Sequence, residues 1–77
     1  MAQVSQNLIG KRVKEARGKA RVTQGVLSQK LAKLGVSIDR AGIAKIETGI
    51  RGVLDFELVA LAKALDAKVT WLLDVKE

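Results

Sequence analysis

Residues 39–49 read Asp39-Arg40-Ala41-Gly42-Ile43-Ala44-Lys45-Ile46-Glu47-Thr48-Gly49. Asp39 is of a type whose carboxylate accepts an orphan amide at a helix start, and Gly49 suits the residue after a helix end. The spacing predicts a helix of about 40–48 in which Ile43 and Ile46, three apart, face inward. Its outward positions near the start are Arg40, Ala41, Ala44 and Lys45, with Gly42 among them. Small side chains plus two cations leave a slim, positive surface, which is what entry into a major groove about 12 Å wide requires. The same small residues also serve as neutral surface filler, and this helix alone does not choose between the two readings.

Working outward, the preceding stretch repeats the same grammar. Thr23 is a good N-cap for a helix of about 24–34, whose apolar set Leu27, Leu31 and Leu34 falls at i, i+4 and i+7; Gly35 then ends it. An earlier helix, roughly 7–19 and capped by Asn7, puts Ile9, Val13 and Ala16 on one stripe. Downstream, Asp55 is expected to cap a helix of about 56–65 carrying Leu58, Leu61, Ala62 and Leu65, and Thr70 a short one of about 71–75. Periodicity is helical throughout, with no proline and no strand alternation. The fold class expected is all-α, a single domain over 1–77 made of about five short helices, with a helix-turn-helix at about 23–49.

Composition narrows the function. The chain has 77 residues and a formal charge of +6. Residues 1–51 hold eleven Lys and Arg against Glu15, Asp39 and Glu47, whereas residues 52–77 hold three against five acids. A basic front of +8 and a back of −2 suit a polyanion on one face, with solubility as the plain alternative. There is no Cys and no His, so disulfides, thiolate zinc sites and histidine chemistry are absent, and no metal or other cofactor is expected. Ser5, Ser28 and Ser37 have no evident activating partner, and Asp55 and Glu57, two apart, point to different sides of a helix. An enzyme with a small-molecule substrate is not expected. No run of about 18 apolar residues occurs, and residues 1–7 lack a basic-then-apolar leader, so a cytoplasmic location, on the nucleoid when bound to DNA, is expected. Binding to an anionic membrane would require the first helix to expose Ile9 and Val13, which the core needs.

At this point the chain resembles the phage-repressor helix-turn-helix family (Cro-like or XRE-like, with a lambda-repressor-like domain). The matching pieces are Ile9-Gly10-Lys11-Arg12-Val13-Lys14-Glu15-Ala16-Arg17, then Val22-Thr23-Gln24 with Leu27 and Leu31. Next come Ile43-Ala44-Lys45-Ile46-Glu47-Thr48-Gly49 with Arg51, and finally residues 58–65 followed by Trp71-Leu72-Leu73. Each piece is weak alone; their order and spacing over about residues 8–73 are specific.

The resemblance implies that Gln24 opens the second helix beside a DNA phosphate. It implies that Arg40, Ala41, Ala44 and Lys45, with Gly42 between them, face base edges or backbone. Arg51 would touch phosphate from the loop after the recognition helix, and Arg12 is the best placed of the flanking cations. Arg17 and Glu47 would form a structural ion pair between the first and third helices. One departure stands out: from Leu31 to Ile43 the chain is about five residues longer than the commonest family spacing. Leu34 continues the apolar stripe, so an extra helical turn is expected to take up most of the insertion.

Phe56 and Trp71 are the only aromatics, and both fall at apolar helix positions expected in the core. That argues against a stacking platform for single strands. The function expected is a sequence-specific double-stranded DNA-binding regulator, a repressor acting as a homodimer on an operator. Ile50, Val53, Leu54, Leu72, Leu73 and Val75 supply either the interface or core packing. The alternative is an antitoxin or other protein-interaction module, with a toxin as partner, on the same fold.

Overall fold

Five helices follow one another in the computed structural model, which describes residues 9–74. They are α1 (Gly10–Ala20), α2 (Gln24–Lys33), α3 (Arg40–Glu47), α4 (Asp55–Leu65) and α5 (Val69–Leu73), with no strand among the described residues. The two central starts follow from their caps. Thr23 Oγ1 accepts from the Val26 amide at 3.1 Å, and Asp39 Oδ1 accepts from the Gly42 amide at 2.7 Å. Each satisfies one donor that the first helical turn would otherwise leave open. Gly35 and Gly49 follow these two helices at φ 84° and 82°, a conformation that costs a residue without Cβ least.

The inward stripes meet in one core. Val13, Leu27, Leu31, Ile43, Ile46, Leu61 and Leu72 have no solvent exposure. Burial of each such side chain contributes roughly 1.5–3 kcal/mol. α3 packs against both α1 and α2, while α4 closes the other side against α1, α2 and α5. α3 therefore rests on the two helices before it and leaves its opposite side to solvent.

Several expectations are corrected. α2 stops at Lys33, and Leu34 is its C-cap, 46% exposed rather than part of the stripe. The extra length before α3 lies in an irregular turn, residues 34–39, anchored by the buried Val36 and Ile38 and by Ser28 Oγ donating to the Ile38 carbonyl at 2.6 Å. Phe56 is 56% exposed. The buried side of α4 passes through Glu57, Leu61 and Leu65 at helical spacing, which turns Phe56 outward. α4 begins one residue early, with Leu54 as N-cap and Asp55 inside the helix, and α5 begins after Lys68 with Thr70 inside it. Asn7 and Val75 lie outside the described residues.

Glu57 is a charged group in the buried set, and its partners explain it. Its carboxylate takes the Arg51 fork, Nη1 to Oε1 at 3.0 Å and Nη2 to Oε2 at 2.9 Å, and Oε1 also accepts from the Leu54 amide at 3.0 Å. This is the acidic half of a capping box, supplied to a leucine N-cap that has no side-chain oxygen to cap with. Arg51 first, and then the Leu54 amide, hold the Glu57 carboxyl below the ordinary glutamate pKa, against the opposing effect of burial.

Gly42 is half-buried because the turn before α3 folds over it. A Cβ there would lie 2.9 Å from Ile38 Cγ2 and 3.1 Å from Asp39 Oδ1. At Gly18 in α1 a Cβ meets nothing within 4 Å. Gly18→Ala is therefore expected to raise stability by about 0.5–1 kcal/mol through helix propensity, and Gly42→Ala to lower it despite the same propensity gain. Thermal melts of the two variants should shift in opposite directions.

Stability should also fall on acidification through Glu57. Its native pKa lies below the unfolded one, so its contribution is complete above the unfolded value and is lost as pH falls through the native value. Urea midpoints measured below about pH 4.5 should drop less steeply in Glu57→Gln than in the parent.

Candidate nucleic-acid interface

The exposed side of α3 carries two rows. Ala41 and Lys45, four apart, point to solvent, while Arg40, Ala44 and Thr48 border a concavity shared with α1 and α2. That concavity, about 600 Å³, is completed by Lys14 from α1 and by Gln24 and Gly25 at the start of α2. The two helix starts lie side by side here: a Cβ at Gly25 would make ordinary contact with Arg40 Cδ, at 4.0 Å. No acidic residue of α2 itself occupies its first turn. Small residues and cations thus line one continuous face.

Beneath that face lies a charged network. Arg17 Nε is 2.7 Å from Glu47 Oε2, and Nη2 is 3.2 Å from Oε1. The remaining Arg17 nitrogen donates to the Val22 carbonyl at 3.0 Å, and Gln24 Nε2 donates to Glu47 Oε1 at 3.1 Å. The Glu47 side chain is 3% exposed and that of Arg17 is 18%. The carboxylate raises the Arg17 pKa above its ordinary value, chiefly through the hydrogen bond and against desolvation. Arg17 therefore stays charged, and α1, the α1–α2 connection, α2 and the last residue of α3 are joined at one point.

The expected site residues separate on this frame. Gln24, Arg40, Ala41, Ala44 and Lys45 share the exposed face around α3. Gly42, in the first turn of α3, is half-buried against the turn that precedes the helix. Arg51 is forked onto Glu57. Arg12 lies elsewhere: Nη2 is 2.7 Å from Asp74 Oδ1, and its guanidinium stands 4.6 Å above the Trp71 ring, which Lys19 also approaches at 5.3 Å. Lys14, one of the flanking cations of α1 and not singled out among them, joins the face. Its signal was its place three residues before Arg17, on the same side of α1.

The apolar residues expected to be either interface or core also separate. Leu72 is core, Val53 and Leu73 are half-buried, and Ile50 and Leu54 are 77% and 57% exposed. Among the described residues no cluster of His, Cys, Asp and Glu could hold a metal, and no helix is long and apolar enough to cross a membrane.

Removing Glu47 would leave Arg17 charged and without its carboxylate in a largely enclosed place. Glu47→Ala is expected to cost about 2–4 kcal/mol, somewhat less than a wholly buried pair because Arg17 keeps partial solvent access. Urea denaturation measures this, and a loss under 1 kcal/mol would mean that water already screens the pair.

The arrangement has close counterparts. A helix-turn-helix family model matches residues 13–72. The P22 c2 repressor, solved in complex with a synthetic operator, superposes with a TM-score of 0.73 at 28% identity, over 91% of this chain and 98% of that one. The restriction-modification controller protein C.AhdI from Aeromonas hydrophila gives a TM-score of 0.73 at 28% identity, over 87% of this chain and 94% of that one. No curated protein sequence matches. Because that family model spans residues 13–72, most of the chain's length, this chain belongs to the helix-turn-helix family of phage-repressor, XRE-like type.

Proposed function

We propose that the protein is a sequence-specific double-stranded DNA-binding transcriptional regulator, a repressor that acts by occupying an operator. The observation that carries this reading is the α3 face: slim, cationic and exposed, on a helix whose far side is fixed by a buried ion pair. Arg40 and Lys45 reach base edges or phosphates, Ala41 and Ala44 allow the close approach, and Gln24 with the open start of α2 lies against a phosphate. Family membership and the likeness to a phage repressor and a controller protein support the same reading. Gly42, Arg51 and Arg12 stand outside this contact set, because their surroundings give them other work.

A single short recognition helix reads few base pairs, so specificity calls for two copies on half-sites about 34 Å apart. Ile50 and Leu54, exposed directly after α3, are apolar surface beside the reading helix and favour a homodimer built near its C-terminal end.

Selection of bound fragments from random duplex DNA at about 50 and 200 mM salt tests the proposal, since phosphate contacts weaken most over that range. An enriched palindrome that survives the higher salt is expected; binding that merely fades with salt and enriches nothing would overturn it. On the selected site, Arg40→Ala and Lys45→Ala should each weaken specific binding by about 1–3 kcal/mol with the melting temperature unchanged. Unaltered affinity in both would remove them from the interface.

A further inference from the structure

Arg51 lies in the loop after the reading helix, where a basic side chain suggests a phosphate contact, yet its guanidinium is turned inward. From beyond the C-terminal end of α3 the side chain runs back to that helix's first turn, so that Nε lies 4.0 Å from where a Gly42 Cβ would stand. There it forks onto Glu57 of α4, and Nη1 also donates to the Gly52 carbonyl at 2.8 Å. The Glu57 side chain is 5% exposed and the Arg51 side chain 33%. Asp39, which caps α3 through the Gly42 amide, adds a second negative charge on the same side and favours the arginine's charged form.

This geometry answers a need peculiar to the chain. The C-terminal end of α3 is fixed by Glu47 through Arg17, but its N-terminal end follows the long irregular turn of residues 34–39. Hydrophobic anchors such as Ile38 hold that turn down without setting how α3 is rotated about its axis. A bidentate guanidinium is directional, and a fork seated on Glu57 braces the first turn of α3 against α4. Gly42 lies alongside the arginine, while the close contacts its Cβ would meet are with Ile38 and Asp39 of the preceding turn.

We infer that Arg51 is a positioning residue: with Glu57 it forms a second brace on the reading helix, beside its first turn at Gly42, fixing the direction in which Arg40, Ala41 and Lys45 face, and it is not a phosphate anchor. The inference rests on the DNA-reading role of α3 proposed above, but its structural half stands apart from that role.

The test uses the full chain with Arg51→Lys, Arg51→Met and Glu57→Gln, measuring affinity for the selected operator and for random duplex across a salt series, plus amide hydrogen exchange without DNA. Lysine keeps the charge but cannot make the fork. With a brace, Arg51→Lys and Glu57→Gln each lose about tenfold in the specific-to-random affinity ratio, while Arg51→Met leaves the salt slope unchanged. Exchange at the Gly42 and Ile43 amides should then rise about tenfold in all three, with Val13 and Leu31 unaffected. With a phosphate anchor, Arg51→Lys binds normally, and Arg51→Met lowers both affinities and reduces the salt slope by about one; that pattern overturns the inference. If the parent selects no operator, the functional reading fails by itself. The exchange data then decide the brace, and unchanged rates at Gly42 and Ile43 overturn it.

Discussion

The Arg17–Glu47 ion pair is the constraint on which the remaining structure depends. A carboxylate 3% exposed has surrendered almost all its hydration, and only a close, multiply hydrogen-bonded cation offsets that cost. Arg17 supplies two contacts from α1 and a third to the Val22 carbonyl, and Gln24 adds one from α2. Glu47 is the last residue of α3, so satisfying its oxygens brings the end of that helix to a fixed place on the two helices that precede it. Ile43 and Ile46, fully buried, supply the non-directional part of the same attachment. Apolar contact holds the helix down; the ion pair sets where its end lies.

What remains outside is determined by what has been used inside. Once Arg17 and Arg51 are committed to Glu47 and Glu57, the cations left on the α3 side are Lys14, Arg40 and Lys45, grouped around alanines and the open start of α2. Arg12 and Lys19 flank Trp71 on the α5 side, and the Arg12–Asp74 pair there is exposed and contributes little to stability. Much of the positive charge of residues 1–51 is thus divided by the fold: part pairs with carboxylates of the scaffold, part lines the exposed α3 face, and part covers an aromatic ring. Net charge alone would have assigned all of it to DNA.

The helices of the central motif were legible because their signals are local. Thr23 and Asp39 cap within three residues, Gly35 and Gly49 supply the left-handed conformation after the helix ends, and Leu27, Leu31, Ile43 and Ile46 keep helical spacing. The misreadings share a cause. Leu34 extends a stripe in sequence but lies beyond the last turn of α2, and Phe56 is apolar but adjoins a glutamate that takes the buried position. A hydrophobicity pattern assumes that the core receives the apolar residue, and at Glu57 the Arg51 fork and the Leu54 amide reverse that assumption. Where a charge is buried with its partners, the neighbouring phenylalanine is turned outward.

By itself the sequence determined the all-α class, the order of the five helices, the caps of α2 and α3, the basic front half and the small, cationic outer surface of α3. Each of these is settled within a turn or two of helix, where backbone hydrogen bonds and side-chain spacing act. Beyond the Arg17–Glu47 pair, which the family resemblance implied, only the tertiary structure decided which arginines a carboxylate holds. An arginine side chain is long and flexible, and its partner lies 30 residues away for Arg17 and 62 for Arg12. For Arg51 the partner is six residues away, across a loop whose path no periodicity describes. The destination of a guanidinium depends on which carboxylate the packed helices bring within reach, and that is fixed only when the core closes.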